Sequence, residues 1–197
     1  QPLNASDYGV LQNRKRIILI GKRGDHAGFY PDIPKDTSTH KVGELFCDLP
    51  SITAGGGQIT PVATNHYTGK YLYDSGIKSS DMEPVTFHQA RPNTEQDLEI
   101  YRIVVETWNK QGTRIAYTDL PERLRTHKNT TSFLDRFKVV AGNLTCAQTV
   151  VAHICRDGHY YIHPDKKQNR SLTPREAARI QTFPDDHIFF GTRQEQC

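Results

Sequence analysis

The sequence has no long hydrophobic run, and this absence excludes one large class of proteins. None of its apolar segments approaches the ~20 residues that a membrane-spanning helix needs. No charged-then-apolar leader of the kind that directs secretion is found at the start. The chain has 197 residues, of which 36% are hydrophobic, and this suits one domain with a modest core. We therefore predict that the protein has no membrane partner.

Methionine and cysteine are both scarce. Met82 is the only methionine and the chain begins with Gln1, so we expect the sequence to be a piece of a longer protein. The cysteines are spaced without a C-x-x-C pair, which favours reduced, structural thiols over a zinc site or a dense disulfide framework. They are Cys47, Cys146, Cys155 and Cys197.

Several motifs that mark catalytic sites are also missing. There is no G-x-S-x-G turn, no P-loop and no H-E-x-x-H helix. Three histidines are spaced closely enough to suggest a metal site, but their segment is predicted to form a β-hairpin that turns at Asp157-Gly158. In that register His153 and His163 lie on opposite faces, and His159 stands ~13 Å from His163. Because zinc ligands must lie ~2 Å from one ion, we predict no metal site.

Positive charge is concentrated in three places, although the net charge of the chain is only +3. Residues 10–24 hold five lysines and arginines and no acid, residues 166–180 hold five and one acid, and residues 121–140 hold five and two acids. Clusters of this kind in a nearly neutral chain indicate a surface that faces a polyanion. Ordinary solvated lysines and arginines are the alternative interpretation.

The spacing of apolar residues predicts few long elements. The run RIILIGKR, residues 16–23, is typical of a strand buried on both faces of a parallel sheet, and we expect the rest of that sheet to precede Gln1. A helix is predicted from its cap at Thr94 to Gly112. Its core face is expected to consist of Leu98, Tyr101, Val105 and Trp108. TAGGGQITP is predicted to be a flexible loop and HYTGKYLYDSG a short strand.

A second helix begins with an unusual choice of charges. Thr173 occupies its N-cap, Pro174 its first position and Glu176 its third, a combination that forms a capping box. Arg175 lies in the same first turn, although a helix N-terminus carries roughly half a positive charge and favours anions. Two explanations stay open: a phosphate binds there, or the arginines fasten the helix to other segments through buried carboxylates.

Two segments are specific enough to indicate a family. LNASDYGVLQNRKRIILIG, residues 3–21, contains Q-x-R-x-R followed by an apolar strand and a glycine. QNRSLTPREAARIQTFPDD, residues 168–186, contains R-x-L-T-x-R-E-A-A-R-x-Q-x-F-P. In this order they resemble the eighth and ninth motifs of the cytosine-5 DNA methyltransferases. CAQTVVAHICRDGHYYIHP, residues 146–164, is similar to the family's segment that leads into the ninth motif.

This resemblance implies a fold and a division of the chain. It implies a mixed α+β target-recognition small domain with a terminal strand that belongs to a Rossmann-like methyltransferase large domain. Residues 1–24 would form the edge of the catalytic large domain, and residues 25–186 the target-recognition domain with the ninth motif at 168–186. Residues 187–197 would start the return to the large domain. The missing N-terminal catalytic domain would then be a partner of this chain.

The resemblance also implies a chemistry that this chain cannot complete alone. Members of the family flip a cytosine out of the duplex, attack C6 with a cysteine thiolate, assist at N3 with a glutamate and transfer a methyl group from S-adenosylmethionine to C5. Their nucleophile follows a proline, which none of the cysteines here does, and neither an E-N-V triplet nor a glycine-rich cofactor loop after an N-terminal strand occurs. We therefore expect S-adenosylmethionine to serve the full-length protein and this chain alone to be inactive.

The DNA side of the resemblance can be carried over residue by residue. Gln12, Arg14 and Arg16 correspond to the edge of the active site, where Arg16 takes the place of the arginine that helps to hold the flipped cytosine and a neighbouring phosphate. Leu11 departs from the family, which usually has proline before the glutamine. The residues predicted to bind double-stranded DNA are Arg14, Arg16, Lys128, Asn129, Thr149, Arg170, Arg175 and Arg179.

Sequence specificity is expected from residues 25–147. Readout in the major groove needs donors on loops that reach base edges, and the candidates are the AGGGQ loop at 54–58 and RTHKNTTS at 125–132. Plain surface loops are the alternative at each of these positions.

Other function classes are weighed against the methyltransferase. A stand-alone DNA-binding module would explain the basic clusters but not two ordered motifs, and a catalytically dead relative would lack the proline-cysteine pair throughout its gene. A metal-dependent nuclease would need a carboxylate cluster, which the sequence does not supply. The preferred prediction is a DNA methyltransferase of a restriction-modification system, cytoplasmic in a bacterium and associated with the nucleoid.

Overall fold

The structure is a computed structural model that describes residues 2–24, 28, 32–156, 158–192 and 195. The described residues form a mixed α+β fold in which regular elements are short. The α-helices are α1 (Tyr71–Asp74), α2 (Glu95–Gln111) and α3 (Pro174–Ile180). Turns of 3₁₀ helix occur at Ala5–Tyr8, Val42–Leu45, Tyr117–Asp119, Glu122–Leu124 and Ala152–Cys155.

The described strands pair into two small antiparallel ribbons. They are β1 (Pro2–Asn4), β2 (Lys15–Ile17), β3 (Gly57–Gln58) and β4 (His88–Gln89). Strand β1 pairs with β2, and β3 with β4. Gly57 has a φ of +81°, and a Cβ added there would lie 2.1 Å from the carbonyl oxygen of His88. Only glycine therefore allows this close pairing. The pairing places strand β3 within the TAGGGQITP segment, which the sequence predicts to be a loop.

Helix α2 forms as its sequence predicts. Thr94 caps it by accepting from Asp97 N at 3.2 Å, and Gly112 ends it with a left-handed φ of +66°. Tyr101 and Val105 are fully buried. The segment DLPERLRTHKNTTSFLDRF, residues 119–137, whose pattern predicts a broken helix, is helical only in the 3₁₀ turns Tyr117–Asp119 and Glu122–Leu124 within this described range.

Two hydrophobic clusters make up the core. One surrounds Leu45, Leu72 and Ile180 and packs α1 and α3 together. The other joins α2 to Tyr117, Phe137 and Ile162. The terminal helix therefore rests on the first cluster, and the loop that follows Leu124 rests on the second.

Two local predictions were wrong. HYTGKYLYDSG forms α1 rather than a strand, because Tyr71 and Leu72 both turn into the first cluster. The hairpin around residue 157, which itself lies outside the described residues, is replaced by the 3₁₀ turn Ala152–Cys155. Ile162 instead forms isolated bridges to Val139 and Ser171, so pairing with distant segments overrides the local turn signal.

The apolar run RIILIGKR is exposed rather than buried within this chain. Only its first residues belong to a strand, β2, and the paired strand β1 covers one edge. Ile17 is 74% exposed and Leu19 is 88% exposed. The predicted burial of this run is therefore not provided by the described residues, and the apolar surface is left open.

Candidate nucleic-acid interface

Gln12 joins the N-terminal segment to the last helix of the fold. Its backbone forms a parallel bridge with Ala147. Its amide is fully buried and bonded at both ends, since Nε2 donates to Ile180 O at 3.0 Å and Oε1 accepts from Val150 N at 3.3 Å. The neighbouring Leu11 is buried as well. A fully satisfied buried amide fixes both partners, so the two motif segments are held in one arrangement.

The two arginines that follow differ in exposure. Arg14 is half-buried and donates from Nη1 to Val150 O at 3.1 Å, so part of its guanidinium is committed to the protein. Arg16 is exposed and donates to the carbonyl that precedes it. The hydroxyl of Thr149 donates to the carbonyl of Asn13 and thereby holds the segment in place. Of the residues predicted here, Arg16 is the one whose charge lies at the surface.

In the loop that contains Lys128 and Asn129, the two side chains likewise have different roles. Lys128 is exposed. The side chain of Asn129 is committed to the loop itself, because its Oδ1 accepts from Thr131 N at 3.1 Å and from Ser132 N at 3.0 Å. An Asx turn of this kind is a structural use of asparagine. Lys128 is therefore free to meet an anion, whereas Asn129 shapes the loop.

The N-terminus of α3 is capped as predicted. The hydroxyl of Thr173 accepts from Glu176 N at 3.2 Å, and Glu176 Oε2 accepts from Thr173 N at 2.8 Å. Arg170 grips the same carboxylate with two bonds of 2.7 Å, and both side chains are buried. Burial alone would raise the pKa of Glu176, but the charge and hydrogen bonds of Arg170 outweigh it and hold that pKa well below its usual range.

Arg175 is fully buried and has no carboxylate partner among the described residues. Its guanidinium donates to Thr86 O at 3.0 Å, Pro184 O at 2.9 Å and His187 O at 2.7 Å. It also lies 5.5 Å from the centre of the Phe189 ring. Burial lowers the pKa of Arg175 from its ordinary value. The side chain thus ties the start of α3 to two separate backbone segments.

Arg179 stands at the centre of a buried ion network. It donates to Asp185 Oδ1 at 2.8 Å and to Asp48 Oδ1 at 2.6 Å. Lys78 Nζ donates to the second oxygen of Asp48 at 2.9 Å. All four side chains are buried, and their two positive and two negative charges balance. Burial opposes the charge on Arg179, yet its hydrogen bonds to the two aspartates raise its pKa above the ordinary value.

These contacts answer the question raised by the arginines around α3. Arg170, Arg175 and Arg179 were predicted to bind DNA, but each has 0% of its surface exposed. Arg170 and Arg179 are paired with carboxylates, and Arg175 is satisfied by carbonyl oxygens. The geometry is that of a clamp between segments, because a phosphate could reach these groups only if they left their internal partners.

His163 is a buried titratable group beside this clamp. Its Nδ1 accepts from Asp165 N at 3.1 Å, so the proton of the neutral ring is on Nε2, which lies 3.6 Å from Glu176 Oε1. Burial and the nearby charge of Arg170 outweigh the attraction of Glu176 and together lower the pKa of His163 to about 4.

His163 is expected to make the stability of the protein depend on pH. Its native pKa of about 4 lies below the ordinary 6.5, so between these values the unfolded chain binds more protons. Stability is then fully present above about pH 6.5 and is lost as the pH falls towards 4, by about 2 kcal/mol between pH 7 and pH 5. Urea unfolding at both pH values should show this loss, and His163→Gln should remove it. An equal loss in the variant would contradict the assignment.

The histidines do not form a metal site in the part of the chain that the structure describes. That part contains no group of three His, Cys, Asp or Glu side chains able to hold an ion. The described residues 149–156 and 158–164 do not pair as a hairpin, so the register that the sequence pattern predicts for the three histidines is not formed there. Cys47 and Cys146 are free thiols, and Cys47 is exposed.

Sequence reasoning missed most of the ion network. Asp185 lies in the quoted FPDD segment, so its position beside the helix was a usable signal. Asp48 and Lys78 lie more than a hundred residues before Arg179 in segments without a motif. Only the folded arrangement brings them to α3.

Comparison with known proteins found matches along the whole length of this chain. The family profile described as C-5 cytosine-specific DNA methylase matches residues 1–197. The Type II methyltransferase M.Bpa9945I of Bacillus paralicheniformis is 41% identical over 98% of this chain and 45% of its own length. The Type II methyltransferase M.DdeI of Desulfomicrobium norvegicum is 31% identical over 97% of this chain and 45% of its length.

A further relative is more distant but matches the same extent. The Type II methyltransferase M1.HphI of Haemophilus parahaemolyticus is 27% identical over 98% of this chain and 41% of its own length. The chain therefore spans somewhat less than half the length of these curated relatives.

Proposed function

Because the chain belongs to the C-5 cytosine-specific DNA methylase family, we propose that it is the DNA-recognition part of a DNA (cytosine-5-)methyltransferase. In this proposal residues 1–24 are the edge of the catalytic large domain, and residues 25–186 are the target-recognition domain. The full-length protein would bind double-stranded DNA and methylate C5 of a flipped cytosine, as one half of a restriction-modification system.

The observation that carries the proposal is the buried amide of Gln12. It lies in the segment that resembles the eighth motif and bonds to Ile180 O in the segment that resembles the ninth. The edge of an active site and the helix that organises a recognition domain would be held in one geometry by this bond. Such coupling suits an enzyme that must place one base of a chosen sequence at its reacting centre.

The residues that the structure describes do not offer a loop that fits S-adenosylmethionine. Its glycine-rich loop at 55–57 follows no strand and leads into β3, which pairs tightly with β4 and is not followed by a helix N-terminus. A nucleotide-type cofactor loop needs a strand before it and a helix after it. We therefore propose that the cofactor, the cysteine nucleophile and the glutamate belong to the large domain outside this chain.

The exposed apolar run at residues 17–20 marks where that domain would dock. Ile17, the last residue of β2, is followed by Ile18, Leu19 and Ile20, and all four aliphatic side chains are exposed. Exposed aliphatic side chains in an unbroken row indicate a surface that another element covers. In the full-length protein this run would join the large-domain sheet that its sequence pattern predicts.

The DNA contacts are assigned from exposure. Arg16 and Lys128 are exposed cations and would meet phosphate or the flipped base. Arg14 and Thr149 would hold the segment that presents Arg16. Asn129 and the three buried arginines of the clamp would support the interface without touching DNA.

The test is methyl transfer with and without the rest of the protein. The full-length protein, given labelled S-adenosylmethionine and duplex DNA, should place the label in 5-methylcytosine after nuclease digestion. Residues 1–197 alone should transfer none above a blank without protein. Transfer by this chain alone would contradict the division of labour, and no transfer by the full-length protein would favour a catalytically dead DNA-binding relative.

A further inference from the structure

The loop at residues 127–136 holds itself rigid with its own polar groups. The carbonyl of Asn129 accepts from Arg136 Nη2 at 2.9 Å, and Arg136 Nε donates to Phe133 O at 3.0 Å. The guanidinium of Arg136 also stacks 4.0 Å above the ring of Tyr117, which belongs to the second hydrophobic cluster. The same tyrosine hydroxyl accepts from His127 N at 2.6 Å. The loop is therefore a fixed platform on the core.

This platform exposes the side chain of Phe133 in a conformation that is energetically unfavourable. Phe133 is 70% exposed and has a φ of +53°, in the left-handed region that bulky residues avoid. The free energy of folding is less favourable because the aromatic ring is not buried, and the strained backbone makes it less favourable still. The bond from Arg136 Nε to Phe133 O holds the backbone in this conformation, but the ring stays exposed, which points to a use outside the fold.

Phe133 lies on the wall of a groove with a volume of about 540 Å³. Val151 and Tyr160 form the apolar part of the wall, and Lys128 and Arg136 supply positive charge. No acidic side chain lines the groove in the part of the chain that the structure describes. A positive, partly apolar groove on a rigid loop suits the edge of a DNA duplex better than a protein surface of average charge.

The arginine and the asparagine of this loop, two residue types that read bases by hydrogen bonding, are both occupied. Arginine reads guanine and asparagine reads adenine, but Arg136 bonds to three backbone carbonyls and Asn129 closes its own turn. The exposed apolar ring of Phe133 is available to contact a duplex that lies along the groove. The base feature in the major groove that an apolar side chain contacts is the 5-methyl group of thymine.

We propose that Phe133 is a specificity-determining residue that contacts the 5-methyl group of a thymine in the recognised DNA sequence. This inference depends on the proposed function, because it requires the groove to face target DNA. Lys128 would bind the adjoining phosphate, and Arg136 would act as a positioning residue that keeps the ring in place.

The experiment replaces the thymine methyl group by hydrogen. Duplexes that bind the full-length protein are selected from a random library, and each thymine of the selected sequence is then replaced in turn by uracil. At one position the wild-type protein should bind uracil DNA roughly fourfold more weakly, the effect expected for burying one methyl group. With Phe133→Gly the ratio at that position should fall to one. Glycine suits the left-handed backbone, so the variant is expected to fold.

Met82→Gly is the matched control. Met82 is also exposed and has a φ of +55°, but it lies in a turn beside Asp81 and away from the loop at residues 127–136. Its variant should keep the wild-type ratio of thymine to uracil binding. The proposal is overturned if no selected thymine shows discrimination, or if Phe133→Gly discriminates as well as the wild type. This experiment measures only binding, so its result does not depend on methyl transfer. A protein that binds selectively but transfers no methyl group would contradict the proposed function, and the contact of Phe133 with thymine could still be tested.

Discussion

Arg179→Met is expected to lower the free energy of unfolding by about 3–5 kcal/mol, the cost of leaving buried charges without a partner. Asp185 would lose its ion partner, and Asp48 would keep only Lys78. The network would change from two charges of each sign to a net negative charge in the interior. Thermal unfolding should shift down by roughly 10 °C for a chain of this size.

A surface ion pair of the same type provides the control. The two terminal guanidinium nitrogens of Arg123, Nη1 and Nη2, both donate to the Glu99 carboxylate, but the arginine side chain is 66% exposed. Arg123→Met should leave the melting temperature unchanged within error, because water solvates the remaining charge. If Arg179→Met unfolds at the same temperature as Arg123→Met, the buried network does not hold α3 in place.

Arg175→Ala is expected to destabilise the protein by about 3 kcal/mol without changing how its DNA affinity depends on salt. The carbonyls of Thr86, Pro184 and His187 would lose a charged donor, and α3 would lose its link to both segments. A residue that meets phosphate behaves differently, because its loss flattens the log–log salt dependence by about one unit. Melting temperature and fluorescence anisotropy at several salt concentrations separate the two roles.

Lys128→Ala is the comparison for that experiment. Lys128 is exposed on the groove described above, so its loss should flatten the salt dependence by about one unit and leave the melting temperature unchanged. A flattened dependence in Arg175→Ala would show that this arginine leaves its carbonyl partners to bind DNA. In that case the clamp would not be the native role of Arg175.

Short-range chemistry was enough to predict the parts of the fold that are stabilised locally. The caps at Thr94 and Thr173, the glycine stop at Gly112 and the core face around Tyr101 all follow from residues within one or two turns of each other. The motif order also indicated the family, because it depends on residue identity alone. These features need no knowledge of which distant segments meet.

Predictions that depended on a partner segment were wrong or incomplete. The Asp157-Gly158 signal favoured a hairpin, but Ile162 bridges Val139 and Ser171 and packs in the second cluster beside Val139. The run at residues 16–23 has the pattern of a buried strand, yet its covering neighbours are not among the described residues. Whether a strand is buried therefore depends on the segments that pack against it as well as on its own sequence.

The charges around α3 show the same division most clearly. The sequence near the helix established that arginines crowd a positive helix end and that this requires compensating negative groups. Whether those groups are phosphates or protein oxygens depends on where Asp48, Lys78 and Thr86 lie in the fold. The sequence around α3 does not contain that information. Folding brings them within hydrogen-bond distance and removes water, and in that low-dielectric interior the internal partners satisfy the arginines before any DNA can.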